Sequence, residues 1–128
     1  MLMHDAVTAQ QEVIHHIALL LPTIEDALLH MQQQLTELRM EESLALFQDT
    51  ASALAGIANA MLPLIEKGED KELLQAMVDL REGVSLMVDA YETKRLFLLE
   101  QTLVKRLIPA FYRWRDILEV QVKPSVVS

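Results

Sequence analysis

A chain of 128 residues, 52% hydrophobic and 23% charged, suits one domain with a real core and excludes wholesale disorder. Eleven basic against nineteen acidic side chains leave a formal charge of −8. That balance excludes general binding to phosphate backbones, an affinity built on neutralising phosphates with Lys and Arg. Without cysteine there is no disulfide framework and no zinc ribbon, and three glycines and four prolines are few for a turn-rich β protein.

The opening Met1-Leu-Met-His-Asp5 has no basic region and no small-residue cleavage site, so no secretory signal is expected. The longest uncharged stretch, Thr50 to Ile65, contains Ser52, Gly56, Asn59 and Pro63. It falls short of the roughly 20 apolar residues of a membrane span. A cytoplasmic protein with no membrane segment is the expectation.

Four apolar stripes at helical spacing follow one another. The first reads Val13, Ile17, Leu21, Ile24, Leu28, Met31, Leu35, Leu38; the second Leu44, Phe47, Ala51, Leu54, Ala58, Met61, Ile65. The third reads Leu73, Met77, Leu80, Val84, Met87, Tyr91, and the fourth Phe97, Val104, Leu107, Phe111, Trp114, Leu118. Intervals are three or four, apart from one step of seven over Glu100. Steps of six from Leu38 to Leu44 and from Tyr91 to Phe97 put chain reversals near Arg39–Glu42 and Glu92–Lys94. The third reversal is punctuated by Lys67-Gly68, a C-terminal cap, and Asp70, an N-cap. The fold expected is all-α, an up-down antiparallel four-helix bundle with short loops, one domain over 1–128 with flexible ends at 1–9 and 121–128.

Pro22, Pro63 and Pro109 sit inside stripes whose phase continues on both sides, which predicts proline-kinked helices rather than breaks. Their contexts rhyme (Leu20-Leu21-Pro22, Met61-Leu62-Pro63, Leu107-Ile108-Pro109), yet three such triplets are weak evidence of duplication.

Charge is uneven. Residues 1–66 hold one basic side chain, Arg39, against nine acidic ones, whereas residues 93–128 hold seven basic against three acidic. In the last helix Arg95, Arg106 and Arg113 fall within about 20° on a helical wheel. The stripe reads either as ion pairs to acidic neighbours such as Asp79, Glu82 and Asp89, or as a docking surface for an acidic partner. The second helix has a candidate interaction face opposite its core stripe: Ala45, Asp49, Ser52, Ala53, Gly56 and Ala60, with Asp49 its only charge. The third has Ala76, Gly83 and Ala90 spaced by seven. Such faces either meet within one bundle or join two copies as a homodimer.

Catalytic and metal chemistry is thin. His4, His15, His16 and His30 all precede residue 31, and Glu12-Val-Ile-His15 has the Glu-x-x-His spacing of di-iron bundles without the second copy those sites need. Glu66, Glu69 and Glu72 straddle Gly68 rather than share a helix face, so magnesium is not expected. Glu100 interrupts the fourth stripe. It reads as an end-of-bundle carboxylate reaching water, as a buried polar group paired with an arginine such as Arg81, or as a pocket residue. No nucleophile–base pair, Gly-rich phosphate loop or cofactor site is apparent.

The segments Leu44-Ala-Leu-Phe-Gln-Asp-Thr, Val88-Asp-Ala-Tyr-Glu92 and Leu107-Ile-Pro-Ala-Phe-Tyr-Arg-Trp-Arg-Asp-Ile-Leu118 resemble small uncharacterised helical domains of bacteria, particularly Gram-positive ones. The resemblance covers roughly residues 10–120 and is most specific at Pro-Ala-Phe-x-Arg-Trp. It implies a bacterial helical domain with no catalytic assignment. The glycine usual in the first interhelical turn of such proteins is replaced by Arg39-Met-Glu-Glu.

The functional expectation is a non-enzymatic protein–protein interaction, adaptor or chaperone-like module, its partner a client or a second copy and not nucleic acid or membrane. Seven methionines suit adaptable surfaces, although most lie on core stripes. The alternative is a small-molecule-binding or enzymatic bundle with a pocket near Glu100, Tyr91 and Trp114.

Overall fold

A computed structural model describes the backbone of residues 2–67 and 71–127 and the side chains of residues 12–63 and 71–120. Its helices are α1 (Leu2–Thr36), α2 (Met40–Lys67) and α3 (Lys71–Thr93), followed by a fourth rod. That rod comprises α4 (Leu96–Thr102), a π-helical turn (Leu103–Leu107) and α5 (Ile108–Val127). Among the described residues there is no strand, and no helix is long and apolar enough to cross a membrane. Both expected flexible ends fall largely within α1 and α5, and their side chains lie outside the described residues, as does the turn at 68–70.

The helices form a bundle in which α1 packs on α2 and α5, while α3 packs on α4, the π turn and α5. The seam between α2 and α3 is thin by comparison with that between α1 and α2. The core follows the first three stripes closely: Ile17, Leu21, Ile24, Leu28, Met31 and Leu35 from α1, Phe47, Leu54 and Met61 from α2, Leu73, Leu80, Met87 and Tyr91 from α3. Burying such side chains is the main drive to fold, at about 1.5–3 kcal/mol each before chain entropy is counted. Helix α1 continues through Pro22 and α2 through Pro63. Both prolines are exposed, so each missing hydrogen bond lies on the side where water can serve the freed carbonyl.

The first interhelical turn explains the missing glycine. Leu38 adopts a left-handed φ of 63°. The Leu38 N–H donates to the Leu35 carbonyl (3.1 Å) and the Arg39 N–H to the Gln34 carbonyl (2.8 Å), the two reversed bonds of a Schellman cap. Leucine here stands where glycine is favoured, and having left the helix its side chain is 74% exposed instead of closing the first stripe. Lys94, with φ 56°, plays the same part after α3, its N–H donating to the Tyr91 carbonyl at 3.1 Å.

The fourth stripe requires correction. Phe97 and Val104 are 71% and 42% exposed, and the residues facing the core are Leu99, Leu103, Leu107, Phe111, Trp114 and Leu118. Three consecutive steps of four would drift around a regular α-helix, because four residues exceed one turn of 3.6. The π turn takes up that excess: the Ile108 N–H donates to the Leu103 carbonyl, an i→i−5 bond. Pro109 sits just beyond, lacking an N–H and crowding the carbonyl four residues back, that of Lys105 within the π turn. Underwinding relieves both problems at once. Glu100 is therefore not a core-centre residue; it is half-buried beside Leu99.

Candidate functional site: an apolar groove between α2 and α3

The two hydroxyls of Ser43 and Tyr91 tie the start of α2 to the end of α3. Ser43 Oγ donates to the Met40 carbonyl (2.7 Å) and shares a hydrogen bond of 2.9 Å with Tyr91 Oη. The Tyr91 ring lies against Phe47, centroids 5.2 Å apart. Burial pushes the Tyr91 phenol above its ordinary value, against a smaller opposing pull from Ser43. Away from this anchor α2 turns short side chains towards α3, namely Ala51, Ala55 and Ala58, and the helices leave a cavity of about 440 Å³ between them. Leu54 and Leu80 also line it, and Leu62, Leu74, Met77, Val78 and Val84 complete its apolar walls.

Leu62, Leu74 and Val78 are each about half exposed. Single exposed leucines are ordinary, whereas here three half-exposed apolar side chains line one concavity. Only two lining residues are polar, Asn59 and Arg81. Arg81 is exposed and the lining contains no carboxylate. Arg81, one of the alternative partners read for Glu100, lines this groove and has no ion pair among the described residues.

The other expected site residues separate into distinct places. The face of Ala45, Asp49, Ser52, Ala53, Gly56 and Ala60 is exposed throughout, and a Cβ added at Gly56 would meet no atom within 4 Å. The small residues of α3 behave in the opposite way. Ala76, Gly83 and Ala90 are buried, and a Cβ at Gly83 would lie 3.2 Å from Leu107 Cα. In the basic stripe, Arg106 pairs with Glu82 at 3.4 Å and Arg113 with Asp79 at 3.5 Å, with both arginines more than half exposed. Pairs of that kind are worth at most about 1 kcal/mol. Arg95 is the N-cap residue of α4 and is exposed.

Trp114 is a core anchor, 1% exposed and packed on Phe111 at 6.0 Å between centroids, with no hydrogen-bond partner for Nε1 among the described residues. The α2–α3 cavity is lined by none of Glu100, Tyr91 or Trp114. Glu12, His15, His16 and His30 are exposed, and no cluster of three His, Asp or Glu that could hold a metal occurs among the described residues. Glu72 is exposed, while Glu66 and Glu69 lie outside the described side chains.

Arg115 escaped sequence reasoning. Its guanidinium lies 3.3 Å from Glu25 on α1 and 4.6 Å over the Tyr112 ring, joining α5 to α1. The Tyr112 phenol is held above its ordinary value chiefly by its own hydrogen bond to the Glu25 carboxylate, against a smaller opposing pull from the Arg115 charge. Alternation of charges in Arg113-Trp114-Arg115-Asp116 was the only signal, and it does not specify a partner ninety residues away.

No curated protein and no solved structure matches the chain. A family model described only as a domain of unknown function spans residues 12–117, from the first described side chains of α1 to near the end of the buried part of α5. That match covers all four rods and the groove between α2 and α3, and the chain belongs to this family, DUF8042.

Proposed function

We propose that the protein is a protein–protein interaction module, an adaptor working in the cytoplasm by helix docking rather than by catalysis. Its scaffold in this reading is an up-down antiparallel four-helix bundle bent at Pro22 and Pro63. The observation that carries the proposal is the open apolar groove between α2 and α3, with Leu62, Leu74 and Val78 half exposed along it. Grooves of this kind accept an amphipathic helix, with apolar anchors for affinity and charge for orientation. The exposed small face centred on Gly56 adjoins it on α2 and suits close approach by another helix, a second copy included. A chaperone-like use fits Met77 on the groove wall, although Met31, Met61 and Met87 are fully buried core residues.

The test is site-specific photo-crosslinking in living cells. A photoreactive residue at Val78 should capture protein adducts that one at Asp116, exposed on α5, does not. Adducts of any mass count for this reading. Absence of adducts from position 78, or the same adducts from both positions, refutes it.

A further inference from the structure

We infer that the occupant of the α2–α3 groove is an amphipathic helix of a partner protein carrying a carboxylate beside its apolar stripe, with Arg81 as the counter-charge. The inference rests on the interaction-module reading and names the chemistry of its partner.

Three observations lead to it. The first is length. On α2 the groove extends from Ala51 to Leu62, which at 1.5 Å per residue is about 16 Å, or three helical turns. That span matches an apolar stripe at i, i+4 and i+7 or i+8. The second is shape. One wall is low, built from Ala51, Ala55 and Ala58, and the other is high, built from Leu74, Met77 and Val78. A third helix can settle over the alanines and set its side chains between Leu62 and Val78. This is ridge-into-groove packing with one partner missing.

The third is charge. The chain carries −8 overall, yet the groove lining has no acid and one base, Arg81. Its neighbours on α3, Asp79 and Glu82, are committed to Arg113 and Arg106 on the far side of the helix. Arg81 lines the groove and has no ion pair among the described residues, which leaves its complementary charge to the occupant. A guanidinium at the edge of an apolar contact sets the register of the docked helix more than it adds affinity. The groove is also open along its length, with Leu62, Leu74 and Val78 half exposed, which suits a helix better than a small ligand needing enclosure on most sides.

The experiment uses the full chain with its methionine methyl groups labelled for NMR. Met77 lines the groove, while Met31, Met61 and Met87 are buried in the core and act as internal references. The probes are two synthetic helical peptides with leucine at i, i+4, i+7 and i+11, differing only in glutamate or lysine beside the central leucine. The expected result is a saturable shift of Met77, with the glutamate peptide binding about fivefold tighter than its lysine counterpart. The Arg81→Glu variant should invert that preference; Arg81 is exposed, so the variant folds as the wild type does.

Four outcomes overturn the proposal. One is no Met77 shift at millimolar peptide, and another is equal affinity for the two peptides. A third is a Met77 shift that depends on protein concentration alone, which assigns the groove to a second copy. The last is a Met77 response to dodecanoate but not to either peptide, which assigns it to an acyl chain. Crosslinks from position 78 together with any of these leave the interaction reading standing and remove only the acidic helix.

Discussion

Two glycines in helix interiors offer a paired test of where this bundle is tight. Gly83 on α3 faces the π turn, where an added Cβ would sit 3.2 Å from Leu107 Cα, 3.3 Å from its Cδ1 and 3.6 Å from its Cβ. Gly56 on α2 has nothing within 4 Å. Glycine to alanine in a helix interior gains about 1 kcal/mol from propensity alone. At Gly56 that gain stands unopposed, so Gly56→Ala should stabilise by about 0.5–1 kcal/mol. At Gly83 the obstruction is backbone, which cannot swing aside as a side-chain tip can, and overpacking costs about 1–3 kcal/mol. Gly83→Ala should therefore lose about 1 kcal/mol net, and Gly83→Val considerably more, with its branched Cβ aimed at the same atoms. With a urea m-value of about 1.5 kcal/mol/M, the two alanine variants should differ in midpoint by about 1 M. Urea titration followed by far-UV circular dichroism and Trp114 fluorescence, with coincident transitions, gives the comparison. Stabilisation of Gly83→Ala equal to that of Gly56→Ala would show slack between α3 and the π turn and refute the reasoning.

Further outcomes follow from single residues. Leu38→Gly should stabilise by about 0.5–1 kcal/mol, because the left-handed conformation costs leucine more than glycine; thermal melts check it, and a loss of stability counts against the cap. Trp114→Ala should cost about 3–5 kcal/mol, and native emission of the wild type should be blue-shifted from that of the denatured chain. The raised Tyr91 phenol favours the protonated form in the folded state. Its contribution is intact below the unfolded value near pH 10 and lost as pH climbs through the folded value. Wild type should thus lose stability relative to Tyr91→Phe only in that alkaline range, and parallel pH curves would exclude it. If copies pair through the exposed small face of α2, Gly56→Arg should halve the mass seen by sedimentation while leaving helix content unchanged; a wild-type monomer well above micromolar concentration refutes that pairing.

The first three helices could be read from the sequence because their core positions keep the three–four rhythm of a regular α-helix. From Ile17 to Leu35 every stripe residue of α1 is buried. Ala76, Gly83 and Ala90 were visible as a pattern, but their direction was not: small residues are equally compatible with a tight internal contact and with an open face. The structure places one set in each. The fourth rod misled because periodicity assumes 3.6 residues per turn, and the series Leu99, Leu103, Leu107, Phe111 obeys a longer local turn. Those three consecutive fours, running from Leu99 across Pro109 to Phe111, were the available sign. The groove left no trace in the pattern at all. It depends on the spacing between α2 and α3, and Leu62, Leu74 and Val78 look like any apolar residues beside a stripe until the neighbouring helix stands back from them.

The π turn also changes how the gene tolerates length variation. Within a regular helix, losing one residue turns everything downstream by about 100°, which here would swing Phe111, Trp114 and Leu118 out of the core. The segment Leu103–Leu107 already holds one residue more than an α-helical turn needs. Removing one of its exposed members, Val104, Lys105 or Arg106, lets the backbone close into an ordinary helix while α5 keeps its inward face. Among the described helices this is the place where a single-codon deletion is absorbed by the backbone instead of being passed on to the core.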